Sequence, residues 1–379
     1  MSIKIHWFLP TTGDGRTLVG GGHSVPKGVG VPTGTAGSAA QFRPPDIDYL
    51  AQVARTAEYL GYEGVLTPTG TWCEDAWLTT AALIRETERL KFLVAFRPGV
   101  ISPTLAAQMA ATYQRISRGR LLLNVVTGGE PAEQARFGDH TDHAGRYART
   151  DEFLSVVRGA WGNDGFDFAG DYYDVTDART RDAPDPLPEI YFGGSSRPAG
   201  PVAARHADVY LTWGEPPAQV AEKIDWIRRL AKEHGRQVRF GIRLHVITRD
   251  TSEAAWAQAQ TMLDDLDPAD IAKAQEALAA SESVGQSRMR ELHGGTTDHT
   301  DAHGLEVSPG LWAGVGLIRG GAGTALVGSH SEVAERVAEY HALGIDEFIL
   351  SGYPHVEEAY WFAEGVKPLL RRDGILAPR

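Results

Sequence analysis

The chain has 379 residues, of which 42% are hydrophobic and 23% are charged, as in globular proteins that bury a substantial core. Its formal net charge of -12 argues against nucleic acid and anionic membrane surfaces as partners. The single cysteine, Cys73, excludes an internal disulfide, and no apolar run reaches the roughly 18 residues of a membrane span. The apolar stretch at the first residues is too short for a signal sequence, so we expect a cytoplasmic protein.

Eight short apolar or alternating segments recur along the chain, and the segments between them show patterns typical of helices. The eight segments, which we predict to be strands, are residues 3–10, 64–69, 90–97, 120–127, 189–193, 208–213, 239–246 and 347–353. Gly61, Gly235 and Gly344 stand where helices are expected to end before the next strand. Eight strands that alternate with helices predict a (β/α)8 TIM barrel, with a doubly wound sheet as the alternative.

The seventh predicted strand alternates strictly between two faces. One face carries Phe240, Ile242, Leu244 and Val246, and the other carries Arg239, Gly241, Arg243 and His245. In a barrel covered by helices the second face points inward, where a cation is costly unless an anion meets it. Arg243 and His245 therefore indicate a bound anion, although an ion pair with a barrel carboxylate is the alternative.

Two segments interrupt the repeat of strands and helices. Residues 13–45 are rich in glycine, proline, serine and threonine, and residues 284–309 are polar and expected to be weakly structured. Both follow the carboxyl end of a strand, the side on which such barrels carry their chemistry. We interpret 13–45 as an inserted loop and 284–325 as an active-site lid. Since no linker divides the chain, residues 1–379 are predicted to form one domain.

Several residues of the predicted rim have two interpretations. The turn Gly193-Gly-Ser-Ser196 offers N–H groups and hydroxyls suited to a phosphate, but tight βα turns use glycine in the same way. Trp213 fits a core position as well as a platform for a ligand. Residues 319–324 lack the preceding strand of a nucleotide-binding loop, so we interpret them as the hinge and anion clamp of the lid, with Arg319 facing the site.

Cys73 is more typical of a small packed residue than of a nucleophile, because no Cys/His dyad is visible. No metal is expected, because the spacing of the acidic and histidine residues in the polar segment matches no ordered site. These residues are His293, Asp298, His299, Asp301 and His303. From the residues alone, the chain is predicted to bind two anionic groups, one of them a cofactor phosphate.

Blocks of sequence from the first strand to the last helix resemble the alkanesulfonate monooxygenases, which belong to the bacterial-luciferase-like flavin barrels. The most specific of these blocks are Cys73-Glu-Asp-Ala-Trp77, Asn124-Val-Val-Thr-Gly128, Tyr191-Phe-Gly-Gly-Ser-Ser196, Tyr210-Leu-Thr-Trp-Gly-Glu-Pro-Pro217, Arg239-Phe-Gly-Ile-Arg-Leu-His-Val246, Arg319-Gly-Gly-Ala-Gly-Thr324 and Leu350-Ser-Gly-Tyr-Pro-His355. The resemblance implies a two-component enzyme. A separate NAD(P)H-dependent FMN reductase supplies reduced FMN, and with O2 the enzyme cleaves the C–S bond of a sulfonate to release sulfite and an aldehyde.

The resemblance also implies roles for individual residues. Positions that match the sulfonate and oxidant site of the family, together with its cysteine near the flavin, are Trp213, Arg243, His245, Arg319, Tyr353 and Cys73. Positions that match FMN contacts are Asn124, His143, Arg146, Tyr147, Ser195 and Ser196. His245 and Tyr353 are expected to be candidates for proton transfer. A homodimer or homotetramer is expected.

The chain departs from the family on the substrate side of the rim. Thr12 replaces a family histidine, Thr71-Trp72 replaces an Arg-Ser pair, and both inserted segments differ in length or composition. We therefore expect the chemistry to be retained and the substrate to be a polar sulfonate such as sulfoquinovose, with alkanesulfonates or methanesulfonate as alternatives. Other candidate functions are a monooxygenase of the same barrel that acts on a sulfone, a deazaflavin (F420)-dependent oxidoreductase, and a protein that binds flavin or sulfonate without catalysis.

Overall fold

Eight parallel strands close into a ring in the computed structural model, which describes residues 2–18, 42–162, 164–294 and 300–378. The strands of this part of the chain are β1 (Lys4–Phe8), β2 (Asp14–Gly15), β3 (Phe42–Arg43), β4 (Gly64–Thr67), β5 (Lys91–Phe96), β6 (Leu121–Val125), β7 (Phe166–Ala169), β8 (Asp174–Ala178), β9 (Ile190–Gly193), β10 (Val209–Trp213), β11 (Arg239–Arg249), β12 (Glu306–Ser308), β13 (Leu311–Trp312), β14 (Ala325–Ser329) and β15 (Glu347–Ser351). The ring runs β1-β4-β5-β6-β9-β10-β11-β15 and returns to β1. These strands are the eight predicted segments, so the (β/α)8 TIM barrel is confirmed.

Helices surround the ring. They are α1 (Ile47–Tyr59), α2 (Ala76–Leu83), α3 (Pro103–Ser117), α4 (Pro131–Arg136), α5 (His143–Ala160), α6 (Ala199–His206), α7 (Pro217–Glu233), α8 (Ser252–Asp264), α9 (Pro268–Ala279), α10 (Val284–Leu292), α11 (His330–Leu343), α12 (His355–Trp361) and α13 (Lys367–Arg372). Local signals fix their ends: Ser102 caps α3, and Gly344 ends α11 at a φ of 110°. None of the helices in the described ranges has the length and apolar character needed to cross a membrane.

The alternation of β11 separates two packed layers. Phe240, Ile242, Leu244 and Val246 pack in the main core beneath the helices. A second cluster fills the inside of the ring, formed by Phe8, Leu66, Leu93, Leu122, Tyr191, Val209 and Ile349. Each fully buried apolar side chain contributes roughly 1.5–3 kcal/mol to folding, so both layers hold the strands in register. Arg243 and His245 lie on the inward face and are 7% and 2% exposed.

A buried charged network closes the amino-terminal end of the ring. The Glu347 carboxylate lies 3.0 Å from Nε2 of His6, accepts a hydrogen bond of 2.7 Å from the Tyr191 hydroxyl, and pairs with Arg239. Burial works to raise the pKa of Glu347, but hydrogen bonding and charge from His6, followed by Arg239, outweigh it and lower the pKa to about 2. This network lies away from the rim and is part of the scaffold.

Strand β11 extends three residues beyond the predicted end. Residues 245–249 of β11 pair in parallel with β14, and His245 lies opposite Ala325. On its other side β14 pairs with β13 in the antiparallel sense. The stretch 319–324 precedes β14 directly. The pairing therefore places it at the rim beside Arg243 and His245.

The two inserted segments are better ordered than their composition suggests, within the residues that the structure describes. Asp14-Gly15 pairs with Phe42-Arg43 at the base of the first insertion, and residues 19–41 lie outside the described residues. The expectation of weak structure was wrong for residues 284–292, which form α10 with a Ser283 cap. Residues 295–299, which include Asp298 and His299, lie outside the described residues.

Candidate active site

A cavity of about 220 Å³ opens at the carboxyl ends of the barrel strands. Nine of the twelve predicted site residues line it, namely Asn124, His143, Tyr147, Ser195, Ser196, Trp213, Arg243, His245 and Arg319. Register explains part of this arrangement, since Trp213 on β10 lies opposite Arg243 on β11. Cys73, Arg146 and Tyr353 are not in the lining.

Two buried guanidinium groups mark one end of the cavity. The central guanidinium carbon of Arg243 lies 4.8 Å from the centre of the Phe8 ring, and that of Arg319 lies 5.8 Å from the same centre. In the described part of the chain Arg243 bonds only to neutral oxygens, those of Leu244 and Ser351, and forms no ion pair with a carboxylate. Burial, followed by the charge of Arg319, lowers the pKa of Arg243 to about 9. A cation held in this way is stabilised by an anion that enters the cavity.

His245 is engaged through both ring nitrogens. Its Nδ1 lies 2.8 Å from Oγ of Ser351, and its Nε2 lies 3.2 Å from the carbonyl oxygen of Ala322. Burial, followed by the charges of Arg243 and Arg319, lowers the pKa of His245 well below its ordinary value. His245 is therefore a neutral imidazole, and neither of its nitrogens is available to the cavity for the proton transfer that we expected.

Tyr353 lies behind the cavity wall. Its ring stacks on His245 with centroids 5.7 Å apart, and its hydroxyl is buried with no hydrogen-bond partner among the described residues. Burial raises the pKa of Tyr353, so the hydroxyl keeps its proton at neutral pH. Its edge faces the ring of His355, 5.1 Å away.

Asp14 and His355 form a buried pair that the sequence analysis did not select. Nδ1 of His355 lies 2.9 Å from Oδ1 of Asp14, and the His355 backbone N–H donates to Oδ2 at 2.8 Å. Burial works to raise the pKa of Asp14, but the interactions with His355 and the hydrogen bond from Tyr49 outweigh burial and lower this pKa. Nε2 of His355 is buried and has no hydrogen-bond partner in the described ranges. Both residues follow the ends of predicted strands, and this position was the signal by which the sequence could have identified them.

Cys73 packs beside the rim rather than in the cavity. Its sulfur contacts the carbonyl oxygens of Pro68 and Gly70 at 3.7 and 3.6 Å. Burial raises the pKa of this thiol to about 12, so it is protonated at neutral pH. The geometry fits a packed residue, because nucleophilic cysteines need a lowered pKa.

Hydroxyl groups and a bare glycine line another part of the cavity. Tyr147, Ser195 and Ser196 contribute the hydroxyls, and the ring of His143 stands 5.1 Å from that of Tyr147. A Cβ on Gly194 would lie 2.7 Å from Cβ of Ala199 and 3.1 Å from the Tyr147 hydroxyl, so only glycine fits this turn. Burial lowers the pKa of His143. This part therefore offers neutral donors around a space close to the start of α6, which suits a phosphate.

Arg146 does not line this space. It donates to the carboxylate of Glu282 at 2.8 Å and to the carbonyl oxygen of Thr141 at 2.7 Å. The predicted direct contact with a flavin is therefore replaced in this conformation by a link between α5 and the segment that leads into α10.

The start of α10 covers the mouth of the cavity. The backbone N–H of Glu282 donates to the carbonyl oxygen of Gly129 at 2.9 Å, and that of Gly321 donates to Oε1 of Gln286 at 2.9 Å. Gly285 packs against the ring of Trp213, where an added Cβ would lie 3.0 Å from Cζ3. The predicted lid segment thus contacts both the rim and the residues beside Arg319.

The sequence model of the luciferase-like monooxygenases matches residues 3–347, and the chain belongs to this family. Solved structures of similar fold include riboflavin lyase RcaE with modified FMN and riboflavin, at 20% identity and a TM-score of 0.79, over 100% of this chain and 93% of that chain. Long-chain alkane monooxygenase LadA matches at 18% identity and a TM-score of 0.77, over 100% and 93%. DmoA from Hyphomicrobium sulfonivorans matches at 18% identity and a TM-score of 0.72, over 99% and 89%.

Proposed function

We propose that this luciferase-like monooxygenase uses reduced FMN and O2 to cleave the C–S bond of an organosulfonate, releasing sulfite and an aldehyde. The observation that carries this proposal is the buried Arg243 guanidinium, which has no carboxylate partner among the described residues and lies beside Arg319 at one end of the cavity. An anionic substrate group would offset the cost of burying the Arg243 charge.

A sulfonate fits such a site better than a titrating anion does. It remains ionised at all physiological pH values and offers three acceptor oxygens, which planar guanidinium donors match. The neutral His245 adds no third charge. The cavity therefore presents cations beside Phe8 and neutral donors around Ser195 and Ser196, which suits a sulfonate and a cofactor phosphate respectively.

Reduced FMN supplies the electrons that activate O2. The residues that would hold its phosphate are His143, Tyr147, Ser195 and Ser196, and Asn124 would bond the ring system from β6. Gly194 supports this assignment, because any larger residue would fill the space beside the Tyr147 hydroxyl. RcaE, whose structure contains a modified FMN, has the same fold.

The other cavity residues would orient the substrate and control water and protons. Arg243 and Arg319 would hold the sulfonate oxygens, and the start of α10 against Trp213 would exclude water from the reacting centre. Behind the wall, Tyr353 keeps its proton, and its ring centre lies 6.0 Å from the central guanidinium carbon of Arg319, so it is a candidate proton donor.

We extend the proposal to the partners and the substrate. A separate NAD(P)H-dependent FMN reductase would supply the reduced cofactor, and the enzyme would act in the cytoplasm as a homodimer or homotetramer. Because Thr12 and the inserted loop differ from the alkanesulfonate monooxygenases on the substrate side, we favour a polar sulfonate such as sulfoquinovose.

Sulfite release should be assayed with a flavin reductase present and with octanesulfonate, methanesulfonate and sulfoquinovose as substrates. Sulfite from at least one of them is expected, and a clear preference for simple alkyl chains would contradict the polar substrate. Substrate-stimulated, NADH-linked O2 use by the wild type without sulfite would point instead to a sulfone or another substrate.

Arg319→Ala should lower sulfite release at least about a hundredfold, which is the typical loss when a donor to a developing charge is removed. FMN binding should change by less than about twofold. Arg372→Ala, on the exposed surface of α13, is the control. Turnover unaltered by Arg319→Ala would remove this residue from the mechanism.

A further inference from the structure

A continuous chain of hydrogen bonds runs behind the cationic end of the cavity. Nη2 of Arg243 donates to Oγ of Ser351 at 2.8 Å, and the same oxygen lies 2.8 Å from Nδ1 of His245. Nε2 of His245 lies 3.2 Å from the carbonyl oxygen of Ala322. Ser351 is fully buried and faces His245 across the β11–β15 pairing.

For a neutral His245 ring, the donors and acceptors of this chain permit one arrangement of protons. A guanidinium only donates, so the Ser351 oxygen is the acceptor of Arg243. A carbonyl oxygen only accepts, so Nε2 of His245 carries the hydrogen that Ala322 receives. The remaining hydrogen of Ser351 then meets the lone pair of Nδ1, so that the Ser351 hydroxyl and both nitrogens of His245 are satisfied.

We propose that Ser351 is a positioning residue of the anion site, which orients Arg243 toward the cavity and holds His245 as the neutral tautomer protonated on Nε2. This inference rests on the proposed function for its consequence but not for its geometry. Its consequence is that the charge of the site comes from Arg243 and Arg319, and does not change with the protonation of an imidazole near neutral pH.

The surroundings of His245 oppose any other protonation state. Arg243 faces it from its own strand, Arg319 from the stretch before β14, and His355 from α12, while Tyr353 stacks on its ring. An imidazolium here would add a charge next to two cations. Its second proton would also have to displace the Ser351 hydrogen bond.

Nitrogen-15 NMR of the full chain without FMN, labelled in its 13 histidines, tests the tautomer directly. His245→Asn assigns the resonances by their loss. We expect one lone-pair nitrogen and one N–H nitrogen for His245 in the wild type, with no titration between about pH 6 and pH 8. An imidazolium, or a tautomer protonated on Nδ1, would overturn the inference whether or not any variant folds.

Ser351→Ala should change the tautomer distribution of His245 and weaken octanesulfonate binding about tenfold. The substitution removes the hydroxyl that donates to Nδ1 of His245 and accepts from Arg243. Ser351→Thr, which keeps the hydroxyl, should restore much of both. Ser155→Ala is the matched control, because that hydroxyl also bonds within the fold but lies on α5. Unchanged resonances and unchanged affinity in Ser351→Ala would overturn the inference.

The outcomes separate this inference from the proposed function. If the wild type binds no sulfonate and releases no sulfite, the proposed function fails, while the tautomer measurement still decides the role of Ser351. If sulfite is released but His245 has another protonation state, the inference fails and the function stands.

Discussion

At the scale of single residues, Arg243 and Arg97 are both buried guanidinium groups but differ in their partners. Arg97 donates to the Glu133 carboxylate at 2.6 Å, whereas Arg243 has only neutral acceptors among the described residues. Breaking a buried ion pair lowers stability, because the remaining charge loses its partner. Burying a charge that has no charged partner also lowers stability. Burial of Arg243 therefore costs stability, as we expect for a residue of the proposed anion site.

Arg243→Met should raise the free energy of unfolding by about 1–2 kcal/mol, because it removes an uncompensated buried cation, and should abolish sulfonate binding. Arg97→Met should instead lower the free energy of unfolding by about 3 kcal/mol, because it leaves the Glu133 carboxylate without its cation. Urea unfolding of both variants measures the difference. Equal destabilisation by the two substitutions would contradict this account of Arg243.

Cys73 gives a second prediction at this scale. Because burial raises the pKa of its thiol to about 12, the reactive thiolate is scarce at neutral pH. Iodoacetamide should therefore label the folded chain at least about a hundredfold more slowly than the same chain unfolded in urea. Mass spectrometry follows the reaction at one position, since the chain has one cysteine. Fast labelling of the folded chain would show a lowered pKa and a different role.

At the scale of elements, α10 is positioned by small contacts rather than by a large buried face. An added Cβ on Gly285 would lie 3.0 Å from Cζ3 of Trp213, so a larger side chain requires the Trp213 ring or α10 to shift. Helices that cover an active site exclude water from it, and their displacement lets an activated oxygen species decay without product.

Gly285→Val should therefore raise the share of NADH-linked O2 use that ends as H2O2 several-fold, with little change in FMN binding. Gly304→Ala is the control, because nothing lies within 4 Å of a Cβ at that position. The measurement compares sulfite and H2O2 yields in the coupled assay. An unchanged ratio in Gly285→Val would mean that α10 does not shield the reaction.

At the scale of the whole molecule, the barrel separates a stabilising end from a reactive end. The network around Glu347 closes the amino-terminal end, where each polar atom of the carboxylate has a partner. The pKa of Glu347 falls from an ordinary 4.5 to about 2 in the folded state. A carboxyl with a lowered pKa stabilises the fold above its unfolded pKa, and this contribution is lost as the pH falls toward the folded pKa.

Glu347→Gln should lower the free energy of unfolding by about 3 kcal/mol at pH 7, and the difference from wild type should shrink between about pH 4.5 and pH 2. Urea unfolding at several pH values gives both curves. Glu88→Gln, whose side chain is 86% exposed, should follow the wild type. A difference that stays constant with pH would mean that Glu347 acts through packing alone.

Much of the fold was predictable because its signals are local. Short apolar or alternating segments located all eight barrel strands, and glycines located helix ends such as that at Gly344. The polar composition of residues 284–309 misled the analysis, because tertiary contacts of α10 with Trp213 and Gly321 order a segment whose composition is typical of a loop.

The sequence by itself determined the barrel, through its eight repeated strand segments, and the inward face of Arg243 and His245, through the alternation of one strand. It also located most of the residues that line the cavity. Only the tertiary structure decided how their atoms pair. Ser351 meets His245 across 106 residues and Asp14 meets His355 across 341, so strand register and side-chain rotamers set these bonds. For this reason the sequence located Arg243 and His245 correctly, yet only the folded chain assigned one as the cation and the other as a neutral imidazole.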